Sequence, residues 1–105
     1  MTKPYYAVIF SSIKAVEDAE YIKTNNELEA IAKTMKGFLG VESARDELGV
    51  SVSYWETLDN IMEWKNIAKH QLAKQKGREK WYSWYKIRIC KVEREYEFHK
   101  ELTNH

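Results

Sequence analysis

A single histidine and a small set of aromatic side chains are the residues of this chain best suited to chemistry. Imidazoles in general gain and lose a proton near neutral pH, so His70 could act as a base toward a phenol or as a metal ligand. The helical pattern around it turns Ala68 and Leu72 inward and puts His70 beside them, which favours a partly exposed histidine without a chemical role. No two histidines lie three or four residues apart, so no metal site is predicted.

Trp55 and Trp64 could form the walls of a pocket for a flat ligand. A buried aromatic ring covers about 150 Å² or more, and each tryptophan alone is more typical of core packing. However, Trp55 ends a predicted strand that runs directly into the helix carrying Trp64. The pair therefore predicts a cavity between the sheet and that helix, with Tyr6, Phe10 and Met62 as further neighbours.

Such a pocket would suit oxygenation without a cofactor, because an ionised phenol or quinol supplies the electrons that reduce O₂. Arg45, Arg88 or His70 could stabilise the resulting anion. The residues themselves therefore predict a pocket for a small aromatic or hydrophobic molecule. The alternative is a non-catalytic dimeric module that binds a small ligand.

The composition predicts one folded domain over residues 1–105, with a core at about 5–98 and a polar tail at 99–105. Apolar residues make up 44% and charged residues 31% of the 105 residues, and the formal net charge is +1. No apolar run approaches the roughly 20 residues needed to span a bilayer. With one cysteine and no visible export signal, a cytoplasmic protein that does not contact a membrane is expected.

Positive charge concentrates between Lys65 and Lys91, where nine basic residues accompany one acidic residue. Aromatic residues interleave with these charges, a pattern that single-stranded nucleic acids favour: Trp81, Tyr82, Trp84 and Tyr85. The net charge near zero and the missing RNA-binding motif argue against a nucleic-acid partner. A dimer rim, with aromatics buried between subunits and charges in solvent, is the preferred interpretation.

Hydrophobic periodicity predicts six elements in the order β-α-β-β-α-β, the α+β ferredoxin-like arrangement with an antiparallel sheet. They are a central strand at 5–13, a helix at 16–36 ended by Gly37, a hairpin of strands at 38–45 and 50–56, a second helix capped by Thr57, and a long strand at 82–97. The inward residues of the second helix are Leu58, Ile61, Met62, Lys65, Ala68 and Leu72, and residues 73–80 around Gly77 are a loop or a frayed helix end. The helices would cover one sheet face. Large aromatics on the other face favour a homodimer.

Several stretches of the chain resemble the antibiotic biosynthesis monooxygenase domain family over about residues 5–98. They are Gly37-Phe38-Leu39-Gly40-Val41-Glu42-Ser43-Ala44-Arg45, Val52-Ser53-Tyr54-Trp55-Glu56, Trp64 with His70, Gly77-Arg78 with Trp81-Tyr82, and Val92-Glu93-Arg94. The family fold is the dimeric α+β barrel, in which two ferredoxin-like sheets pack face to face. The resemblance thus also implies a homodimer.

The resemblance implies one of two chemistries. Some members are cofactor-independent oxygenases of electron-rich aromatics, and others resemble haem-degrading monooxygenases that use an Asn on the first strand with a Trp and a His of the second helix region. Trp64 matches that Trp, but His70 lies closer to it than the haem-ligating His does, and Ala7-Val8-Ile9-Phe10 offers no Asn. Haem binding is therefore the less favoured interpretation. The resemblance implies a cofactor-independent monooxygenase acting on a small aromatic or hydrophobic molecule, with no cofactor and with Trp64 and His70 as the catalytic candidates.

Overall fold

The computed structural model describes residues 3–16, 19–75 and 80–100. Six elements follow one another in the predicted β-α-β-β-α-β order: β1 (Tyr5–Lys14), α1 (Ala19–Thr34), β2 (Phe38–Arg45), β3 (Gly49–Trp55), α2 (Leu58–Gln75) and β4 (Tyr82–Val92). The strands form one antiparallel four-stranded sheet in the order β2-β3-β1-β4, so the predicted central position of β1 is confirmed. Neither described helix is long and apolar enough to cross a membrane.

The ends of the helices follow from local chemistry. Gly37 adopts a φ of 85°, a conformation that costs a glycine little, and so it ends the first helix as predicted. Thr57 caps α2, because its Oγ1 accepts the backbone N–H of Asn60 at 3.0 Å. The same hydroxyl donates to Asn60 Oδ1 at 2.7 Å, which fixes the cap in place.

Pleating divides the sheet into two faces with different surroundings. The helix face carries Tyr6, Val8 and Phe10 of β1, in register with Trp55, Ser53 and Ser51 of β3 and with Lys91, Ile89 and Ile87 of β4. We call the opposite side the open face; it carries Ala7, Ile9 and Ser11 of β1, in register with Tyr54, Val52 and Val50 of β3 and with Cys90, Arg88 and Lys86 of β4. Both helices pack on the helix face, where Ala32 of α1 and Ile61 of α2 form a buried core with Trp55.

Two predicted boundaries are wrong. The last strand ends at Val92 rather than at 97, and residues 93–100 are exposed and irregular. Tyr96 and Phe98 still alternate with glutamates, but no strand of the described ranges pairs with this segment. The first helix begins at Ala19. Of the expected loop or frayed helix end at 73–80, residues 73–75 form the end of α2, and residues 76–79 lie outside the described residues, as do the tail residues 101–105.

The predicted inward stripe of α2 is also partly wrong. Leu58 and Met62 are 52% and 57% exposed, whereas Ile61 is 4% exposed and Trp64 packs against the core. The helix is rotated relative to the prediction because the large Trp64 ring takes the inward position. The side chain of Leu72 lies outside the described part of the chain.

Candidate functional site

A cavity of about 620 Å³ lies between the helix face of the sheet and the two helices. Its walls are mostly apolar, and seven of the lining residues are aromatic, among them Phe10, Tyr21, Trp64, Trp81, Tyr82 and Tyr85. A cavity of this size accommodates a ligand of two or three fused rings. Its outer wall is β4, where Tyr85, Ile87 and Ile89 remain 37%, 42% and 48% exposed because the helices leave this edge of the sheet uncovered.

One end of the cavity is closed by the packed core around Trp55, and we call it the Trp55 end. The Trp55 indole is fully buried, and its Nε1 donates to Ser53 Oγ at 2.9 Å. Trp64 stacks on it with ring centroids 6.0 Å apart, and the ring of Phe38 meets it edge-on at 5.3 Å. Trp55 thus supports the wall from behind, while Trp64 presents its ring to the cavity.

The other end of the cavity is built around Trp81, and we call it the Trp81 end. The Trp81 indole is 1% exposed and meets the ring of Tyr21 edge-on at 5.5 Å. Tyr82 meets both Tyr21 and Phe10 edge-on, at 5.9 and 5.4 Å, and Tyr85 stacks on Phe10 at 5.7 Å. The Nε1–H of Trp81 is buried and has no hydrogen-bond acceptor among the described residues.

Two cationic side chains stand at the Trp81 end. Arg45, the last residue of β2, extends over the neighbouring strand and donates to the buried hydroxyl of Ser12. The ammonium of Lys14 lies 4.2 Å from the centre of the Tyr21 ring. Both residues line the cavity.

The phenol of Tyr82 is held in its neutral form. Burial raises the pKa of Tyr82, a hydrogen bond to Tyr21 raises it further, and the nearby Arg45 opposes both effects. The hydroxyl of Tyr82 is therefore protonated at neutral pH and cannot serve as a base there.

The eight residues predicted for the site fall into three groups: those that line the cavity, those in the core beside it, and those that do neither. Phe10, Arg45 and Trp64 line the cavity, and Tyr6 packs with Trp55 into the core beside it. The remaining three do not line it: Met62 is exposed on α2, His70 is exposed on the same helix, and Arg88 lies on the open face opposite Ile9.

Sequence reasoning missed Trp81 and Tyr82 as parts of the cavity. It interpreted both as dimer rim because basic residues surround them, but Trp81 is buried within its own chain against Tyr21. Only Trp84 of this group, 43% exposed, faces the open side of the sheet, in register with Ile13. Strand alternation separates Tyr85 from Trp84, but it places Tyr82 with Trp84, because the register shift between Ile13 and Lys14 is not visible in the sequence.

The described residues offer little to a metal ion. No group of three or more His, Cys, Asp or Glu side chains converges within the described ranges. The cavity lining in those ranges contains no histidine, so it provides no imidazole for a haem iron.

Comparison with known proteins identifies relatives of the chain. No protein-family model matches it. The protein YqjZ of Bacillus subtilis is 48% identical over 103 residues, which cover 96% of this chain and 90% of YqjZ. The chain belongs to the YqjZ family.

Solved structures share the fold at much lower identity. SnoaB of Streptomyces nogalater, a cofactor-independent oxygenase, matches 87% of this chain and 95% of its own with a TM-score of 0.70 at 10% identity, in a variant form. A candidate antibiotic biosynthesis monooxygenase of Nitrosomonas europaea matches 86% and 90% with a TM-score of 0.67 at 14% identity. A dimeric ferredoxin-like protein from an uncultured marine organism matches 92% and 95% with a TM-score of 0.71 at 9% identity.

These structures confirm the ferredoxin-like α+β fold that the sequence predicted. The resemblance to the antibiotic biosynthesis monooxygenases is confirmed at the level of that fold.

Proposed function

We propose that this protein is a cofactor-independent oxygenase of a flat aromatic molecule that carries an ionisable oxygen. The observation that carries this proposal is the aromatic cavity, about 620 Å³ in volume, with Arg45 beside its polar end. Phe10, Tyr85 and Trp64 supply flat apolar walls, which hold a planar ligand by stacking. The oxygenase SnoaB shares this fold, which supports the same class of chemistry here.

The proposed reaction needs no electron donor besides the substrate. An activated CH₂ between aromatic rings loses a proton to water and gives a delocalised anion, which transfers an electron to O₂ and combines with it; the peroxide anion then takes up a proton from water. Loss of water from the resulting peroxide leaves a carbonyl: both C–H bonds break, one oxygen atom enters the product and the other leaves as water. Arg45 stabilises the negative charge, and Trp64 holds the ring plane.

Oxygen uptake with 1,8-dihydroxyanthrone, in a buffer containing a metal chelator, tests this proposal. We expect saturable uptake above autoxidation, with one O₂ consumed per anthrone. Arg45→Met should lower kcat/KM by about tenfold or more, because a charge-assisted contact to the anion is lost. His70→Ala is the matched control from α2, and its rate should stay within twofold of the unmodified protein, since His70 does not line the cavity. Uptake no faster than autoxidation would contradict the proposal.

A ligand-binding module without turnover is the second candidate. It is favoured by the described lining of the cavity, which holds no histidine and holds Tyr82 as a neutral phenol. In that case the anthrone would bind and quench tryptophan fluorescence, but uptake of O₂ would remain at the autoxidation rate.

We further propose that a second copy of the chain covers the open face. Ile13 and Trp84 are 42% and 43% exposed on this face, and a structural relative of the same fold is a dimeric protein. The charges along one row of the face are complementary: Glu42 stands on one edge and Arg88 on the other, with Val52 and Ile9 between them. A two-fold axis parallel to the strands would set Glu42 opposite the partner's Arg88, and the reverse.

Charge exchange tests the assembly. Sedimentation velocity should give a dimer for the unmodified protein, and Glu42→Arg or Arg88→Glu alone should weaken it, because like charges would then oppose each other. The double variant should recover the dimer. A monomeric unmodified protein, or a double variant no stronger than the single ones, would contradict this arrangement.

A further inference from the structure

The Trp81 end of the cavity contains a donor group that the described protein leaves without an acceptor. Trp81 is 1% exposed, its indole lines the cavity, and its Nε1–H has no acceptor among the described residues. Tyr82, its neighbour in the chain, uses its hydroxyl in a hydrogen bond with Tyr21. A buried N–H without an acceptor is unfavourable, so such groups in native proteins usually have a purpose.

Arg45 reaches the same end of the cavity because its strand partner has no side chain. Gly49 pairs with Arg45 across the β2–β3 ladder, and a methyl group on Gly49 would collide with the guanidinium. The gap lets the guanidinium extend to Ser12, a fully buried residue of β1. Glycine at position 49 therefore determines where the positive charge sits.

The charges on the cavity lining favour an anion. Three cationic side chains line it in the described ranges, Lys14, Arg45 and Lys65, against the single carboxylate of Glu29. That carboxylate forms an i,i+4 ion pair with Lys33 at 3.7 Å, on the outer side of α1. The Trp81 end itself thus combines positive charge with a hydrogen-bond donor.

We propose that the Trp81 end is a subsite for a negatively charged oxygen of the ligand, held by the Trp81 Nε1–H and the Arg45 guanidinium. This inference deepens the proposed function and depends on the same cavity. It assigns the ligand class: a flat aromatic molecule with a carboxylate or an ionised phenol or enol at one end, and an unsubstituted apolar end toward Trp64. Such an oxygen only accepts hydrogen bonds, which matches the indole N–H and the guanidinium, two groups that only donate.

Two ring-matched probes test the subsite. 2-Naphthoate carries a carboxylate at neutral pH and 2-naphthamide is its neutral counterpart of nearly the same shape; calorimetry on the full chain gives both dissociation constants. We expect naphthoate to bind about tenfold tighter or more, since hydrogen bonds to a charged group are stronger than neutral ones. Arg45→Met and Trp81→Phe should each remove most of that preference while changing naphthamide binding less than about twofold.

Gly49→Ala moves the Arg45 guanidinium without removing it, so it should also reduce the preference for naphthoate over naphthamide. Trp84→Phe is the matched control, because it makes the same change as Trp81→Phe on the open face and should leave both dissociation constants unchanged. Circular dichroism confirms that each variant is folded.

The outcomes separate the two proposals. The subsite would be overturned if the unmodified protein bound both probes with equal affinity, or if Trp81→Phe weakened the binding of both probes equally. Either result would leave the proposed role of the cavity in binding aromatic ligands intact. If neither probe bound, both the subsite and the proposed role of the cavity in binding aromatic ligands would be overturned. A clear preference for naphthoate without oxygen uptake on the anthrone would support the subsite and overturn the oxygenase.

Discussion

The two ends of the cavity are each built on a buried tryptophan, and the two tryptophans are in opposite hydrogen-bonding states. Trp55 is 0% exposed and donates to Ser53; Trp81 is 1% exposed and its donor has no acceptor among the described residues. Trp55 packs with Ala32 and Ile61 in the core, whereas Trp81 sits beside tyrosines near two cations.

The difference indicates that the two ends of the cavity have different roles. A buried polar group with its partner in place contributes to one defined structure, as Trp55 does. A buried polar group left open at a cavity destabilises the free protein and becomes useful when a ligand supplies the acceptor. Four measurements test this difference.

The largest expected effect concerns the two tryptophans themselves. Trp55→Ala should lower the free energy of unfolding by about 3–5 kcal/mol, because it opens a void in the packed core. Trp81→Phe should change it by less than about 1 kcal/mol, since the lost ring contacts are offset by removal of an unsatisfied donor. Urea denaturation measures both. A loss for Trp81→Phe as large as that for Trp55→Ala would remove the distinction between the ends.

The second effect concerns Gly37, which leads into β2 beside Trp55. An alanine there would hold an unfavourable positive φ and collide with the buried side chain of Asn60, so we expect a loss of about 2–3 kcal/mol. Gly40→Ala is the control, because Gly40 also has a positive φ, of 154°, but has open space around it. Thermal unfolding should give the larger loss for Gly37→Ala; equal losses would show that the collision with Asn60 is relieved without consequence.

The cap of α2 is a smaller contribution at the same end. Thr57→Ala removes the acceptor for the Asn60 N–H and should destabilise the protein by about 1 kcal/mol. Thr34→Ala is the matched control: its exposed hydroxyl donates to the carbonyl of Ile31 at the end of α1, and we expect a change below about 0.5 kcal/mol. If chemical denaturation gave the same value for both, the cap would not be a specific support of the Trp55 end.

The smallest effect lies on the open face, away from both ends. The hydrogen bond from the Tyr54 hydroxyl to Glu42, at 2.7 Å, is the main cause that raises the pKa of Tyr54 from 10 to about 12. Because the folded-state pKa is the higher one, this contribution to stability is complete below pH 10 and is lost as the pH rises toward 12. In Glu42→Gln, the Tyr54 pKa measured by NMR titration should fall toward 10, with naphthoate binding unchanged. An unaltered pKa would exclude Glu42 as its cause.

Sequence patterns predicted the elements better than they predicted the site. Strand alternation and the glycine at position 37 gave β1, α1 and the hairpin within a few residues, because these signals are local. They failed at the end of β4, since Tyr96 and Phe98 still alternate with glutamates although no strand of the described ranges pairs with this segment. They also failed for Met62, which fits a helical stripe but lies outside because Trp64 takes the inward position.

Within the candidate site, residue type and family position predicted Phe10, Arg45 and Trp64, which line the cavity. It did not find the Trp81 end. That end depends on contacts between residues far apart in the chain: Trp81 with Tyr21, and Arg45 with Ser12 across a glycine. Whether a buried indole has an acceptor is likewise a property of three-dimensional neighbours.

The order of the elements and the ferredoxin-like class follow from the sequence alone, because periodicity and residue type act within each element; the expectation of an aromatic pocket has the same origin. Tertiary structure decided which aromatic residues line the cavity and which lie behind it. It also decided that His70 stays outside while Trp81 lies inside with its Nε1–H lacking an acceptor in the described chain. These outcomes depend on how the helices pack on the sheet. For α2, the size of the inward Trp64 ring determines the rotation of the helix about its own axis.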